Sequence, residues 1–98
     1  MALFLVFRQQ GGNLWKADRP LEEQVEWRAH ADFMDALEAE GAIMLAGPFG
    51  GSGEVLMIMK CDSVADVHAR LAPDPWTRSG QLTTTRVEPW TKRLGQLG

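Results

Sequence analysis

His30 and Asp74 are the residues whose chemical types best suit acid–base chemistry in this chain. An imidazole changes charge near neutral pH, and a carboxylate beside it orients the ring and favours its protonated form. Asp74 stands between Pro73 and Pro75, which restrict the backbone and favour an extended conformation at the aspartate. The two residues therefore predict a general acid–base pair. The alternative interpretation is a half-buried helix histidine and an aspartate that caps a turn.

Tryptophan is frequent, with four tryptophans and no tyrosine in 98 residues. Trp27 precedes His30 by about one helical turn, and Trp76 follows the Asp74 turn. Aromatic side chains beside an acid–base pair predict an apolar pocket for a small, ring-bearing ligand. Packing in the core and in a dimer interface is the alternative interpretation of the same side chains.

The remaining chemically active residue types point to structural roles. His68 is predicted to be a solvated surface histidine, and Cys61 an inert buried thiol at the end of a strand. The glycines of residues 50–53 join two strands and lack the known phosphate-binding patterns, so they predict a hairpin turn. Two dispersed histidines and a single cysteine predict no metal site, and we expect no cofactor.

Composition limits the class of protein. The chain of 98 residues predicts a single domain over residues 1–98, and 45% hydrophobic with 23% charged residues excludes a disordered protein. The net charge is −3 and the basic residues are scattered, which argues against nucleic acid as a partner. The longest apolar run, residues 2–7, is too short to span a membrane, and no signal peptide is recognisable. We therefore expect a cytoplasmic domain that binds no membrane.

Four segments have the composition of strands. Three of these segments have apolar residues at both odd and even positions, which predicts strands buried on both faces. They are residues 2–8, residues 42–47 and Glu54–Cys61. Leu82–Trp90 is polar and contains Pro89, as expected of a strand at the edge of a sheet. Residues 9–19 form a polar loop that is predicted either to cover the site as a flap or to serve only as a connection.

Two segments have helical patterns. The first helix is predicted to begin after Asp18 as N-cap, with Pro20 in its first turn, and to end before Gly41. Its predicted buried stripe is Leu21, Val25, Ala29, Phe33, Ala36 and Leu37. The second helix is predicted to begin after Ser63, in a variant of the capping box with Asp66, and to end by Ala72 before two prolines.

The resulting order, β-α-β-β-α-β, predicts an α+β fold, the ferredoxin-like sandwich of two helices on an antiparallel sheet. In such a two-layer domain one sheet face meets solvent, yet three predicted strands are apolar on both faces. Exposure of that face would cost on the order of 10 kcal/mol. We therefore predict a homodimer in which two copies pack sheet against sheet around a two-fold axis.

A series of short motifs resembles the YCII-related (YciI-like) family over nearly the whole chain. The motifs are Arg28-Ala29-His30, Gly41, Gly47-Pro48-Phe49, Asp74-Pro75-Trp76, Gly80 and Pro89-Trp90. One branch of that family carries an aspartate immediately before Gly-Pro-Phe, where this chain has Ala46.

The resemblance implies a dimeric ferredoxin-like α+β barrel, similar in fold to muconolactone isomerase, with a histidine and an aspartate as the active pair. At the matching positions these are His30 and Asp74. One branch of the family is associated with dehydrochlorination of a chlorinated hydroxyquinol.

From the residues and the resemblance together we expect a cofactor-independent enzyme for elimination or isomerisation of a small cyclic or anionic ligand. His30 and Asp74 are the expected catalytic residues, and the expected substrate-binding residues are Arg28, Trp27, Phe49 and Trp76. The alternative is a non-catalytic ligand-binding or interaction module that uses the same dimer cleft.

Overall fold

A computed structural model describes residues 2–96. In chain order its elements are β1 (Ala2–Gln10), a single 3-10 turn (Leu21–Glu23), α1 (Trp27–Ala39), β2 (Ile43–Phe49), β3 (Glu54–Cys61), α2 (Val64–Leu71), α3 (Pro75–Ser79) and β4 (Leu82–Trp90). This confirms the predicted α+β class and the β-α-β-β-α-β order, to which the structure adds the short α3. Within residues 2–96, each helix is too short to cross a membrane.

The four strands form one antiparallel sheet in the order β2-β3-β1-β4. The first strand, β1, lies in the interior of the sheet, with Phe4 opposite Met59 and Val6 opposite Met57 on β3. The polar β4 lies at an edge, as its proline and charges predict. The register shifts between Phe7 and Arg8 where β1 pairs with β4, and such an irregularity re-aims the side chains that follow it.

The core lies between the sheet and the helices. Its buried members come from β1, β2, β3, the two longer helices and the residue just before β2: Phe4, Val6, Leu37, Ala42, Ile43, Met57, Met59, Cys61, Val67 and Leu71. Cys61 is buried at the end of β3, and burial raises the pKa of its thiol. A raised pKa keeps the thiol protonated, which fits the predicted inert cysteine.

The first helix begins later than its sequence pattern predicts. Pro20 and Gln24 are extended, a single turn lies between them, and the helix itself begins at Trp27 after Glu26 in a left-handed conformation with φ of 66°. The buried side of α1 consists of His30, Ala31 and Leu37, whereas Val25, Ala29 and Ala36 of the predicted stripe are exposed. The helix end was predicted correctly, because Gly41 adopts the left-handed conformation with φ of 85° that glycine tolerates.

The second helix matches its predicted boundaries. The Ser63 hydroxyl accepts a hydrogen bond from the backbone N–H of Asp66 at 3.0 Å. The Asp66 carboxylate accepts one from the N–H of Asp62 at 2.9 Å. The first bond satisfies an N–H group that the first helical turn leaves free, and the second ties the residue before the N-cap to the same turn.

The outward face of the sheet is mainly apolar along β1, β2 and β3, and it is charged along β4, where Glu88 and Arg86 lie opposite Leu5 and Phe7. The strand register places Leu5 opposite Ile58 and Phe7 opposite Leu56 on this face, and all four side chains are only half-buried. Leu45 and Phe49 of β2 are 51% and 41% exposed. This observation confirms that the strands carry apolar residues on both faces, and it leaves an apolar patch on the side away from the helices.

The close approach of Gly12 to the backbone of Gly80 can be tested by substitution. A Cβ atom at position 12 would lie 2.7 Å from the carbonyl oxygen of Gly80, and Gly12 has φ of +84°. We expect Gly12→Ala to lower the free energy of unfolding by about 2 kcal/mol, measured by urea denaturation. Gly11→Ala is the matched control, because a Cβ there would meet no atom within 4 Å. Equal destabilisation by both substitutions would contradict the contact.

Candidate active site

His30 and Asp74 are in direct contact. The Nδ1 atom of His30 on α1 lies 2.8 Å from Oδ1 of Asp74, although the residues are 44 positions apart in the chain. Asp74 is the N-cap of α3, with Pro75 at the first helical position, and its Oδ1 also accepts the backbone N–H of Trp76 at 3.0 Å. Asp74 is completely buried and His30 is 7% exposed. The carboxylate is therefore held rigidly against the imidazole.

Arg8 completes a buried charged cluster with this pair. Its Nη1 donates to Oδ2 of Asp74 at 3.0 Å, and both side chains are fully buried. Its Nη2 donates to the Thr77 hydroxyl and, at 3.4 Å, to the carbonyl oxygen of Leu82. Its Nε has no hydrogen-bond partner among the described residues. The two oxygens of the Asp74 carboxylate thus have different partners: Oδ2 is bound by Arg8, and Oδ1 by His30 and the backbone N–H of Trp76.

The charges of the cluster follow from burial and these contacts. Burial acts to raise the pKa of Asp74, but hydrogen bonding and charge interaction with His30, the N–H of Trp76 and the Arg8 guanidinium outweigh it. The pKa of Asp74 therefore lies below its ordinary value. Burial lowers the pKa of Arg8, and the Asp74 contact opposes that effect. An arginine nonetheless stays protonated in proteins, so the two form an ion pair.

Aromatic side chains hold the His30 ring from one side. It stacks on Trp76 with a centroid distance of 3.9 Å and an angle of 6°, and it contacts Trp27 at 6.1 Å. Trp76 is itself fixed, because its indole N–H donates to the carbonyl of Val25 at 2.7 Å. Because a carboxylate only accepts hydrogen bonds, Nδ1 of His30 carries the proton in this contact. Within residues 2–96, the other ring nitrogen, Nε2, makes no hydrogen bond.

His30 lines a cleft of about 240 Å3 whose walls are mainly apolar. The walls come from α1, from α3 and from the β2–β3 hairpin, and include Trp27, Met34, Pro48, Met57 and Trp76. Gln10 adds an uncharged polar group, and His30 is the one ionisable side chain among the cleft residues that the structure describes. A neutral Nε2 in such a place can accept a proton from a small ligand, and an imidazolium can return one.

The segment between β1 and α1 covers part of this cleft and is held by side-chain hydrogen bonds. The buried Gln24 amide accepts from the N–H of Lys16 at 2.8 Å and donates to the carbonyls of Lys16 and Arg19 at 2.6 and 2.9 Å. Leu21 lines the cleft, and Trp15 packs edge-on against Trp76 at 5.4 Å. The loop is therefore an anchored wall rather than a bare connection.

The structure brings together only some of the predicted site residues. Trp27, Trp76 and His30 line the cleft, and Asp74 lies behind the histidine. Arg28 follows the cleft residue Trp27 in the sequence, but its side chain is exposed and pairs with Asp32 at 3.2 Å instead of lining the cleft. Phe49 lies on the outward sheet face, where it packs against Phe7. The ligand-binding roles assigned to these residues, and the catalytic roles of His30 and Asp74, stay predictions.

Arg8 is the functional candidate that sequence reasoning missed. The alternation of side chains along β1 could have indicated it. Phe4 and Val6 point into the core, and Arg8 is the next residue on the same face of the strand. A charge at an inward position requires a buried partner of opposite sign. The predicted surface position of His68 is correct, and residues 50–53 form the predicted turn, with positive φ at three of the glycines. Within residues 2–96, no group of three potential metal ligands is clustered.

Taken together, the sheet order and the buried pair define a ferredoxin-like α+β domain with a histidine–aspartate site in a small apolar cleft. The family model of the YCII-related domain matches residues 3–91, so the chain belongs to the YCII-related family. This confirms the resemblance that the sequence motifs indicated. No curated protein matches the chain.

A solved structure is similar over almost all of both chains. It is 5-chloro-2-hydroxyhydroquinone dehydrochlorinase (TftG) from Burkholderia phenoliruptrix AC1100, in complex with 2,5-dihydroxybenzoquinone. The sequences are 28% identical, the TM-score is 0.65, and the similarity covers 91% of this chain and 93% of that chain. The two proteins therefore share the fold over most of both chains.

The lowered pKa of Asp74 makes stability depend on pH in a defined direction. An unfolded aspartate titrates near ~3.9, above the folded group, so its ionised form stabilises the fold at higher pH. That contribution is lost as the pH falls through about 4 toward the folded pKa. We expect Asp74→Asn to flatten the pH dependence there. At pH 7 it should cost about 3 kcal/mol, because Arg8 loses its counter-charge. Urea unfolding across this range measures both effects.

Asp32→Asn is the matched control for this experiment. Asp32 also pairs with an arginine, but both side chains are about 70% exposed, at 71% and 69% for Arg28 and Asp32. Exposed pairs contribute ~0–1 kcal/mol, so this variant should stay close to the wild type at every pH. If Asp74→Asn keeps the acid dependence of the wild type, the buried carboxylate is not its source.

Proposed function

We propose that this protein is a cofactor-independent enzyme that moves a proton on a small cyclic substrate, with His30 as the acid–base group and Asp74 as its orienting partner. The observation that carries the proposal is the 2.8 Å contact between Nδ1 and the buried carboxylate, in a histidine that lines the cleft and whose Nε2 makes no hydrogen bond within residues 2–96. The contact fixes the tautomer and the ring plane, which a general base requires. The same contact stabilises the imidazolium once a proton has been taken.

The proposed reaction class is elimination or isomerisation. In either case Nε2 accepts a proton from an acidic hydroxyl or C–H group of the substrate. In an elimination the electron pair left behind forms a new double bond while a leaving group departs with its own pair. In an isomerisation His30 returns the proton at another atom. The similarity to TftG, whose printed name is that of a dehydrochlorinase, supports elimination from a ring.

The cleft favours a single small ring as the substrate. Its volume of about 240 Å3 is below the ~300–1,000 Å3 typical of pockets for drug-sized ligands. The half-buried indole of Trp27 offers an apolar surface, and His30 and Gln10 offer polar groups that would orient a ring hydroxyl or carbonyl. The hydroxylated quinone bound to TftG is a molecule of this kind.

The second candidate function is a non-catalytic ligand-binding module that uses the same cleft. It is favoured by the depth of the pair, because Asp74 and Arg8 are fully buried and His30 is 93% buried against Trp76. Such a cluster can serve the fold alone. The two functions differ in what His30 must do, since an enzyme needs Nε2 to reach the ligand and a structural pair does not.

We further propose that the active form is a homodimer packed through the outward sheet face. The apolar part of this face consists of Leu3, Leu5, Phe7, Leu45, Phe49, Leu56 and Ile58. No described helix or loop covers it, and from β4 the Arg86 guanidinium lies over the edge of the patch, 5.0 Å from the Phe7 ring centre. Burial of apolar surface contributes ~25 cal/mol per Å2, so a second copy of the same sheet would be a favourable cover. In this arrangement Phe49 is an interface residue, and the cleft lies on the opposite side of the sheet.

The catalytic role of His30 is tested by a substrate screen with hydroxylated and chlorinated quinols and quinones. If one is turned over, we expect His30→Ala to lower kcat/KM by ~10²–10⁴-fold, because the acid–base group is lost. The variant should still fold, with a loss of unfolding free energy of ~2 kcal/mol or less by urea denaturation.

His68→Ala is the matched control, because His68 is an exposed histidine on α2 and should not affect turnover. Unchanged kcat/KM in His30→Ala would contradict the proposed enzyme. A ligand that binds tightly by calorimetry without turnover, and equally well in His30→Ala, would favour the binding module.

The dimer is tested by sedimentation velocity at micromolar concentration. We expect the wild type to sediment as a dimer and Leu5→Glu to shift it to monomer, because Leu5 lies opposite Ile58 on the apolar face. Ala65→Glu, at an exposed position of α2, should stay dimeric. A monomeric wild type would remove the dimer proposal.

A further inference from the structure

Arg8 changes the charge that His30 faces. The guanidinium lies on Oδ2 of Asp74 at 3.0 Å, and the imidazole lies on Oδ1 at 2.8 Å. A carboxylate alone beside a histidine favours the imidazolium, whereas a carboxylate already paired with a fixed cation has its charge largely neutralised. An imidazolium cannot accept a proton, so the state of this ring decides whether the cleft contains a base.

We propose that Arg8 is a positioning residue that neutralises Asp74 and so keeps His30 as a neutral base, with the proton on Nδ1 and Nε2 free for the substrate. This inference rests on the proposed function, because it concerns the resting state of the same site. It assigns the direction of the first step: the resting enzyme takes a proton from the substrate and does not donate one.

The contacts of Arg8 suit this role. Nη2 is bound by the Thr77 hydroxyl and by the carbonyl of Leu82, so α3 and β4 hold the guanidinium independently of the carboxylate. Thr77 and Asp74 belong to the same capped turn, which fixes arginine and aspartate relative to each other. The register shift at Phe7/Arg8 is where β1 departs from regular pairing with β4. Arg8 is therefore a fixed cation rather than a mobile one.

No other charge in the described residues competes at the pair. The elements packed against His30 present Trp27 and Met34 from α1, and Trp76 from α3. Leu82 of β4 and Met57 of β3 complete the surroundings. Among the described residues, Asp74 is thus the charged group in contact with the ring and Arg8 is the charged group in contact with Asp74, and their charges sum to zero.

This charge balance specifies the substrate more narrowly. The proton that leaves the substrate goes to Nε2, the electron pair stays on the substrate, and an imidazolium and an anion then face each other in the cleft. Since no other cation lines the cleft, the imidazolium is the group that stabilises the anion. The substrate class is therefore a ring that enters uncharged at the reacting position and has a hydroxyl, or a C–H beside a carbonyl, acidic enough for an imidazole to remove.

The test is NMR of protein labelled with 15N in its histidine rings, which distinguishes imidazolium from each neutral tautomer. At pH 7 we expect wild-type His30 to show the neutral pattern with the proton on Nδ1. In Arg8→Met the ratio of imidazolium to neutral ring should rise about tenfold or more, because the unpaired carboxylate then favours the charged ring. Arg8→Lys keeps the charge and should restore the wild-type pattern.

Arg70→Met is the matched control, because Arg70 also pairs with an aspartate but lies on α2 away from the cleft. Circular dichroism checks that Arg8→Met is folded. If the folded variant has the same ratio of imidazolium to neutral His30 ring as the wild type, the proposal is overturned. If Arg8→Met does not fold, the wild type still decides: an imidazolium at pH 7 overturns the proposal, and a neutral ring protonated on Nδ1 supports it.

The inference and the proposed function fail in different ways. Loss of turnover in His30→Ala together with an imidazolium at rest would keep the enzyme and remove the role of Arg8. Unchanged turnover in His30→Ala would remove the enzyme, whatever the spectrum shows.

Discussion

The fold and the candidate site depend on the buried carboxylate of Asp74. A charge in the interior is costly unless it is paired and hydrogen-bonded, and Asp74 meets this requirement with partners from three elements: Arg8 on β1, His30 on α1 and the N–H of Trp76 in α3. Each partner satisfies a group that would otherwise be stranded. The same contacts that stabilise the charge fix the positions of the strand, the helix and the turn around the cleft.

The contacts that stabilise the domain around Asp74 also make the candidate site rigid. The His30 ring is bound at Nδ1 and stacked on Trp76, and Trp76 is bound in turn to the Val25 carbonyl. These contacts leave the ring little freedom, which suits a group that must meet a small substrate in one orientation. Membership in the YCII-related family and similarity to a dehydrochlorinase agree with a small-molecule site of this type. In the proposed mechanism, Arg8 neutralises Asp74 and thereby determines whether His30 is neutral or charged before the substrate binds.

The start of the first helix was predicted incorrectly from the sequence pattern, since α1 begins only at Trp27. Asp18 and Pro20 are good signals for a helix start, and the apolar residues that follow recur at helical spacing. In the structure Gln24 bonds instead to Lys16 and Arg19, and this loop packs Trp15 and Leu21 over the cleft. Tertiary contacts outweigh local propensity there, because a few hydrogen bonds and a buried indole exceed the tenths of a kcal/mol per residue that separate most helix propensities. The short α3 was not predicted, because Pro73 and Pro75 were interpreted only as the end of the second helix, although proline also suits the first position of a helix.

The sequence by itself determined the four strands to within two residues at their ends, the β-α-β-β-α-β order along the chain, the end of the first helix and the pair of residues to test. These depend on alternation, on glycine and proline, and on side-chain chemistry, all of which act over a few neighbouring residues. Only the tertiary structure decided that Arg8 faces Asp74, that Arg28 and Phe49 lie outside the cleft, and which side of α1 is buried. Asp74 is 66 positions from Arg8 and 44 positions from His30 in the sequence. Contacts of this kind depend on how the sheet and helices pack, and local sequence patterns do not show which distant residues meet in space.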